Sequence, residues 1–199
     1  MKVEPIRDYE KVQRCYAIAR AHDMREKRHD TLSWELLMVV GFNTGLRISD
    51  LSRLRVGDLL DEHVRVVAKK TKKYHRIEIN PAARKAVRRL LKGRDPDEWA
   101  FPSRQLDKNS RLPRHITRQR AYQIMNAIAR KAGVRDRIGC HTLRKTFGYH
   151  FYKETGDVVS TQRVLGHDAR RDTLMYIGIR DDEVDASMKR FKLVYDGET

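Results

Sequence analysis

Cysteine is scarce in this sequence. Cys15 and Cys140 are the whole complement, they stand far apart, and neither belongs to a C-x-x-C spacing. That excludes a zinc knuckle and a disulfide framework, and both residues are expected as thiols in a reducing compartment. Long apolar runs are missing as well: no stretch reaches the ~20 residues a membrane-spanning helix needs. The opening MKVEPIRDYEKVQR lacks the apolar core of a secretory leader. There is no internal repeat, low-complexity tract or linker, hence no place for a domain boundary. The expectation is one intracellular globular unit over all 199 residues.

Acidic residues are also in short supply, 27 against 43 Lys and Arg, which leaves a net charge of +16 and a pI near 10.1. A field of that sign attracts polyanions, and nucleic acid is the commonest polyanion for a basic globular unit. A membrane surface is the weaker alternative, because no helix pairs a basic face with a Trp, Phe and Leu face. Charge alone does not separate DNA from RNA. The apolar 40% falls in periodic clusters, which argues for a packed core despite 35% charged residues.

Those clusters predict a mainly α-helical fold with one small antiparallel sheet. Asp8 is a candidate cap for a helix over 8–22, and Leu32 to Val40 form a strongly apolar helix ended by Asn43 and Gly45. Ile48, Leu51 and Leu54 hold a short helix after the turn at Arg47. Between Leu59 and Ile79 the period drops to two: Val64, Val66 and Ala68 alternate with Arg65, Val67 and Lys69, and Ile77 and Ile79 with Arg76 and Glu78. This is a hairpin with a basic tip, Lys70-Thr71-Lys72-Lys73. Asn80-Pro81 starts a helix that stops at Gly93, and residues 94–113 show no period and are read as a long loop. A helix resumes near Thr117, with Ala121, Ile124, Met125 and Ile128 inside and Gly133 as its stop.

Chemistry concentrates in Gly139 to Gly178. On a helix starting near His141, residues 141, 144, 145 and 148 share a face, so His141, Arg144 and Lys145 point together away from the stripe of Leu143, Phe147, His150 and Phe151. Gly148 on the same face leaves room for a close approach. Asp157 caps a further helix, and Gly166 breaks it directly before His167; Tyr176 follows nine residues later. Arginines, histidines and a tyrosine are what phosphodiester cleavage through a tyrosyl ester requires. Charge developing on the non-bridging oxygens needs fixed donors, and the arginine fork grips two oxygens without losing its proton. The leaving oxygen needs an acid, for which a lysine or histidine on a mobile hairpin is suited. Cys140-His141 has no second ligand pair at metal spacing. His63, His75, His115 and His150 are read as structural.

Taken in order, Thr44-Gly45-Leu46-Arg47-Ile48-Ser49-Asp50-Leu51, the hairpin lysine, His141-x-x-Arg144, Leu165-Gly166-His167 and Tyr176 resemble the catalytic domain of the tyrosine recombinases, the phage-integrase family. The resemblance runs from about Leu32 to Tyr176. It implies a site-specific DNA recombinase that cleaves and rejoins strands through a 3′-phosphotyrosyl intermediate, with Tyr176 as nucleophile, Arg47 and Arg144 clamping the phosphate and His167 adding a donor. It makes His141 an aid to deprotonation of Tyr176, Lys70 the general acid with Lys72 in reserve, and Asp50 a structural support. No metal or nucleotide cofactor is implied. The implied partners are double-stranded DNA, three further copies in a synaptic homotetramer, and accessory DNA-bending proteins; the implied place is the cytoplasm, with the nucleoid. The expected organisation is a single catalytic domain, 1–199, without a separate N-terminal core-binding domain. Segment 180–199, with Val184, Met188 and Phe191 along one side, is expected to dock on a neighbouring subunit. Two rivals share the residue pattern: a type IB topoisomerase-like relaxing enzyme, and a DNA-binding regulator of the same fold that has lost catalysis.

Overall fold

A helix that is apolar on every side forms the centre of the molecule. The computed structural model describes residues 3–26, 32–166, 170–178, 184–185 and 188–189. The central helix, α2 (Trp34–Thr44), follows α1 (Tyr9–Glu26). Leu36, Leu37, Met38 and Val40 are buried on α2, which packs against α1 and two later helices, α5 (Pro81–Leu90) and α7 (Thr142–Thr155). Full burial of each such side chain stabilises the fold by ~1.5–3 kcal/mol. Ser33 caps α2 by accepting from Leu36 N at 2.9 Å, and Gly45 ends it in the left-handed region at φ 62°. α1 begins where the sequence places it, with Asp8 Oδ1 accepting from Glu10 N, and extends a turn further than 8–22.

After α2 come α3 (Ile48–Leu51) and α4 (Val56–Leu60), the latter unforeseen. The strands β1 (Val64–Val67) and β2 (Tyr74–Ile77) pair antiparallel, with Val64 opposite Ile77 and Val66 opposite His75. Val64, Ala68, Ile77 and Ile79 are buried as the alternation predicts. α5 is capped by Asn80, which accepts from Ala83 N, and has Pro81 at its first position.

Residues 94–113 do not form the loop expected. They contain β3 (Pro102–Leu106), which pairs antiparallel with β4 (Pro113–His115), a second hairpin. Neither strand has a fully buried face, so no apolar alternation announces it. Its turn is held by Asp107, whose Oδ1 accepts from Asn109 N and Ser110 N, and by Arg111 at φ 58°. α6 (Arg118–Lys131), capped by Thr117, buries Ala121, Ile124, Met125 and Ile128 as predicted.

α7 differs from its expected two-faced form. Arg144 and Lys145 are themselves buried, at 3% and 7% exposure, while Phe147, His150 and Phe151 are half-buried. The extended segment 3–7 covers one side of α7: Ile6 N donates to Thr146 Oγ1 at 2.9 Å, and Lys145 Nζ donates to Val3 O at 2.8 Å. The space at Gly148 is taken by Leu165 of α8 (Val158–Leu165), 3.1 Å from where a Cβ would stand, and not by a ligand. Asp157 caps α8 through Val159 N and Ser160 N. α9 (Arg170–Ile177) carries Tyr176 and packs on α7 and α8. Most of the segment beyond 178 lies outside the described residues; Val184 and Met188, which are described, are exposed. Among the described residues, no helix is long and apolar enough to cross a membrane.

Candidate active site

The turn that ends α2 sets up the site. Thr44 Oγ1 donates back to Val40 O at 2.8 Å, and Gly45 reverses the chain with a backbone that L-residues avoid. A Cβ at Gly45 would also lie 2.5 Å from Phe147 Cδ1, so glycine is required twice over. Two residues on, Arg47 stands at the N-cap of α3, half-buried.

Arg144 arrives at the same turn from α7. Its Nη1 donates to Gly45 O at 2.7 Å and its Nη2 donates to Leu165 O. The guanidinium therefore sits between the C-terminal ends of α2 and α8, whose last carbonyls lack helical partners and whose dipoles favour a cation. Burial still pushes its pKa from 12.5 down to about 10, and the neighbouring charge of Arg47 adds to that; Tyr176, by charge and by a hydrogen bond, and Asp50 act in the opposite sense. Arg144 Nε is buried with no partner among the described residues. At neutral pH the group remains charged and under-satisfied.

Tyr176 lies over this cation. Its ring centroid is 5.5 Å from Arg144 Cζ and 5.5 Å from Lys145 Nζ, and the ring meets His141 edge-on at 6.3 Å. The position of α9 is fixed partly by Arg7, whose Nη2 donates to Gly178 O at 3.0 Å while paired with Glu4. His141 is the N-cap residue of α7 and remains accessible to solvent. Its pKa is lowered, first by partial burial and then by Arg144, Lys145, Arg47 and Arg118, so the ring is held neutral.

Asp50 is 5% exposed, and its Oδ1 accepts from Lys69 N at 3.0 Å, which ties α3 to the start of the basic hairpin turn. The lysines are less converged. Lys70 is exposed at the tip, whereas Lys69 and Lys72 line an open groove of about 340 Å³ with Asp50, Arg53 and Arg65. His167 lies outside the described residues; Gly166 before it is in the left-handed region at φ 60°, as a helix-ending glycine should be.

His75, expected as a structural histidine, stands beside the two arginines. A small pocket with about 10 Å³ of interior space is lined by Gly45, Leu46, Arg47, Asp50, His75, Ile77, Arg144 and Val164. The signal was present: His75 has the same strand parity as Ile77, which faces inward. The other three histidines expected as structural each have a partner within the fold. His63 Nε2 meets Arg76 at 2.8 Å, His115 Nδ1 meets Ile116 O at 2.8 Å and His150 Nε2 meets Ile6 O at 2.9 Å.

A mainly helical unit with small antiparallel hairpins, presenting an arginine and a lysine to a tyrosine, is the architecture of a recombinase catalytic domain. The Phage integrase family profile matches residues 9–183, and the chain belongs to that family. It is 35% identical to the probable integrase/recombinase YoeC of Bacillus subtilis (strain 168) over 95% of this chain and 97% of that protein. The chain spans about half the length of other curated relatives it matches, the tyrosine recombinases XerD and XerC, at 46% of each. Among solved structures, the XerA recombinase superposes with a TM-score of 0.72 at 20% identity, over 98% of this chain and 66% of that one. The XerH site-specific recombinase, crystallised bound to palindromic difH substrate in a post-cleavage complex, superposes with a TM-score of 0.66 at 19% identity, over 91% of this chain and 50% of that one. These two similarities speak for the fold.

Proposed function

We propose that this chain is a site-specific recombinase that cuts and rejoins duplex DNA through a 3′-phosphotyrosyl bond at Tyr176. The observation that carries the reading is the stacking of Tyr176 on two buried cations, Arg144 and Lys145, beside a neutral His141. A tyrosine has an ordinary pKa of about 10, and its attack on phosphorus needs a positive site or a base. Here both adjoin the ring. Arg47 and Arg144 hold the non-bridging oxygens, joined by His167, and His141 accepts or relays the Tyr176 proton. The Tyr176 oxygen bonds to phosphorus, the P–O5′ bond breaks, and the departing 5′ oxygen takes a proton from Lys70, with Lys72 as the other candidate on the same hairpin. Asp50 keeps that hairpin anchored to α3.

Because the phosphodiester is exchanged for a phosphotyrosyl ester, attack by a 5′ hydroxyl from a second duplex restores it without an external energy source. Paired exchanges of this kind call for a synaptic homotetramer on DNA, aided by DNA-bending proteins, acting at the nucleoid. Residues 1–199 form one catalytic domain in this reading. The net charge of +16 supplies the sequence-independent affinity for duplex.

Incubation with nicked suicide duplexes carrying candidate target sites, followed by denaturing gels, tests the reading. Wild type is expected to form a covalent protein–DNA adduct that Tyr176→Phe does not form. An adduct of equal yield from Tyr176→Phe would overturn it. Relaxation of supercoiled plasmid lacking any target site, by a monomer, would place the protein with the topoisomerases instead.

A further inference from the structure

We propose that His75 is a further catalytic residue, whose Nε2–H donates a hydrogen bond to a non-bridging oxygen of the phosphate held between Arg47 and Arg144. The inference rests on the strand-cleavage reading for its substrate, and on independent geometry for its site.

Four observations converge on it. The parity of β2 turns His75 inward with Ile77, and the ring lines the same small pocket as Arg47, Asp50 and Arg144. Its Nε2 is buried with no partner among the described residues, and so is Nε of Arg144, which lines the same pocket. Buried polar nitrogens are ordinarily paired, and His63, His115 and His150 each have a ring nitrogen with a partner, so two unpaired ones on residues that line one cavity mark a place where an acceptor belongs. The cavity, at about 10 Å³, accepts one water-sized atom, which is the size of a single phosphoryl oxygen and not of a whole phosphate. Finally, Gly166 is cut to fit this ring. A Cβ there would stand 2.9 Å from both ring nitrogens and closer still to Cε1, so the glycine that ends α8 also makes room for His75.

The protonation state suits a hydrogen-bond donor. The groups facing the ring are Arg144 from α7, Arg47 and Asp50 from the turn and helix α3, and Lys73 from its own hairpin. Burial and the three cations lower the imidazole pKa, against the opposing pull of Asp50, and the free protein therefore holds a neutral ring. An entering phosphate oxygen brings negative charge into the same field. It gives Nε2 an acceptor, and raises the pKa again.

Two readouts test this, one of them independent of cleavage. In the first, histidine ring ¹⁵N resonances are followed while inorganic phosphate is added, with His75 assigned by comparison to His75→Gln. The His75 Nε2 signal is expected to move on titration, its pH midpoint to rise, and both effects to vanish in Arg47→Ala. A signal unmoved by phosphate overturns the proposal. In the second, single-turnover adduct formation is measured on a nicked suicide duplex. Loss of a hydrogen bond to a charged oxygen corresponds to a rate lower by about 10- to 100-fold in His75→Phe, with duplex binding by gel shift within about threefold of wild type. His75→Gln keeps an N–H near Nε2 and is expected to recover most of that rate. A wild-type rate in His75→Phe, or equal loss in both variants, would show a space-filling residue only. If phosphate moves His75 and wild type makes no adduct on any duplex, the anion site stands and the strand-cleavage reading falls.

Discussion

Replacing Gly166 by alanine perturbs the site at the one point where α8, the hairpin and Arg144 meet. Two separable effects are expected. The residue lies at φ 60°, ψ 43°, and a Cβ in that left-handed region costs about 1–2 kcal/mol. The new methyl also enters the volume of the His75 ring, and overpacking of that kind costs about 1–3 kcal/mol as the ring is displaced. Together they lower stability by about 2–5 kcal/mol, which at a urea slope of about 2 kcal/mol per molar moves the unfolding midpoint down by about 1–2.5 M. The two effects are separated by repeating the substitution in a His75→Ala background, where only the backbone part remains. Equilibrium urea unfolding of wild type, the two single variants and the double variant gives a coupling of about 1–3 kcal/mol if the ring stands where the structure has it. Equal costs in both backgrounds would refute the packing of His75 on Gly166, and a cost below about 1 kcal/mol in wild type would refute the left-handed cap as well.

Three further outcomes follow from the same geometry. Arg144→Met removes two donated bonds, each about 1.5–3 kcal/mol. It also removes the charging cost implied by a pKa pushed down to about 10, which is about 3 kcal/mol. Its unfolding free energy should thus fall by no more than about 3 kcal/mol while adduct formation is lost, and a variant that still cleaves would refute the assignment. Arg7→Ala frees Gly178 at the end of α9; it is expected to lower stability by about 1 kcal/mol and to slow adduct formation on suicide duplexes, and an unchanged rate would show that segment 3–7 has no part in placing Tyr176. His75 and His141 have lowered pKa values, so the unfolded chain binds more protons than the folded one just below the ordinary imidazole value of about 6.5. Stability should therefore decline as pH falls from 7.5 through that value, less steeply in His75→Phe, and urea midpoints that stay level or rise would refute the neutral-histidine picture.

Periodic signals in the sequence translated directly into structure. Thr117, Gly133, Asp157, Gly166 and the β1–β2 alternation stand where capping and parity rules put them, because each is a local constraint that a few neighbouring residues satisfy. The second hairpin was not legible, since its strands bury no face and its turn depends on one Asp side chain. The buried state of Arg144 and Lys145 was not legible either. Lys145 is covered by segment 3–7 crossing α7, and Arg144 is enclosed where the ends of α2 and α8 meet it, contacts between separate parts of the chain that no local pattern encodes. His75 is an intermediate case: its inward parity was readable, but the cavity it faces exists only once α3, α7 and α8 are assembled.

That assembly explains why the site is built from helix ends. Two arginines placed near each other repel, and Arg144 is nearly dry, so the fold must hold a charge that burial opposes. It does so with groups already lacking partners: the last carbonyls of α2 and α8, freed by Gly45 and Gly166. Full neutralisation by a carboxylate would remove the attraction for phosphate, and Asp50 is instead turned toward Lys69 N. Carbonyl dipoles hold the cation without discharging it. The residual positive charge, together with the unpaired Arg144 Nε and His75 Nε2, is what an incoming phosphate oxygen would relieve, so the same feature that limits the stability of the free protein would drive binding at the proposed site.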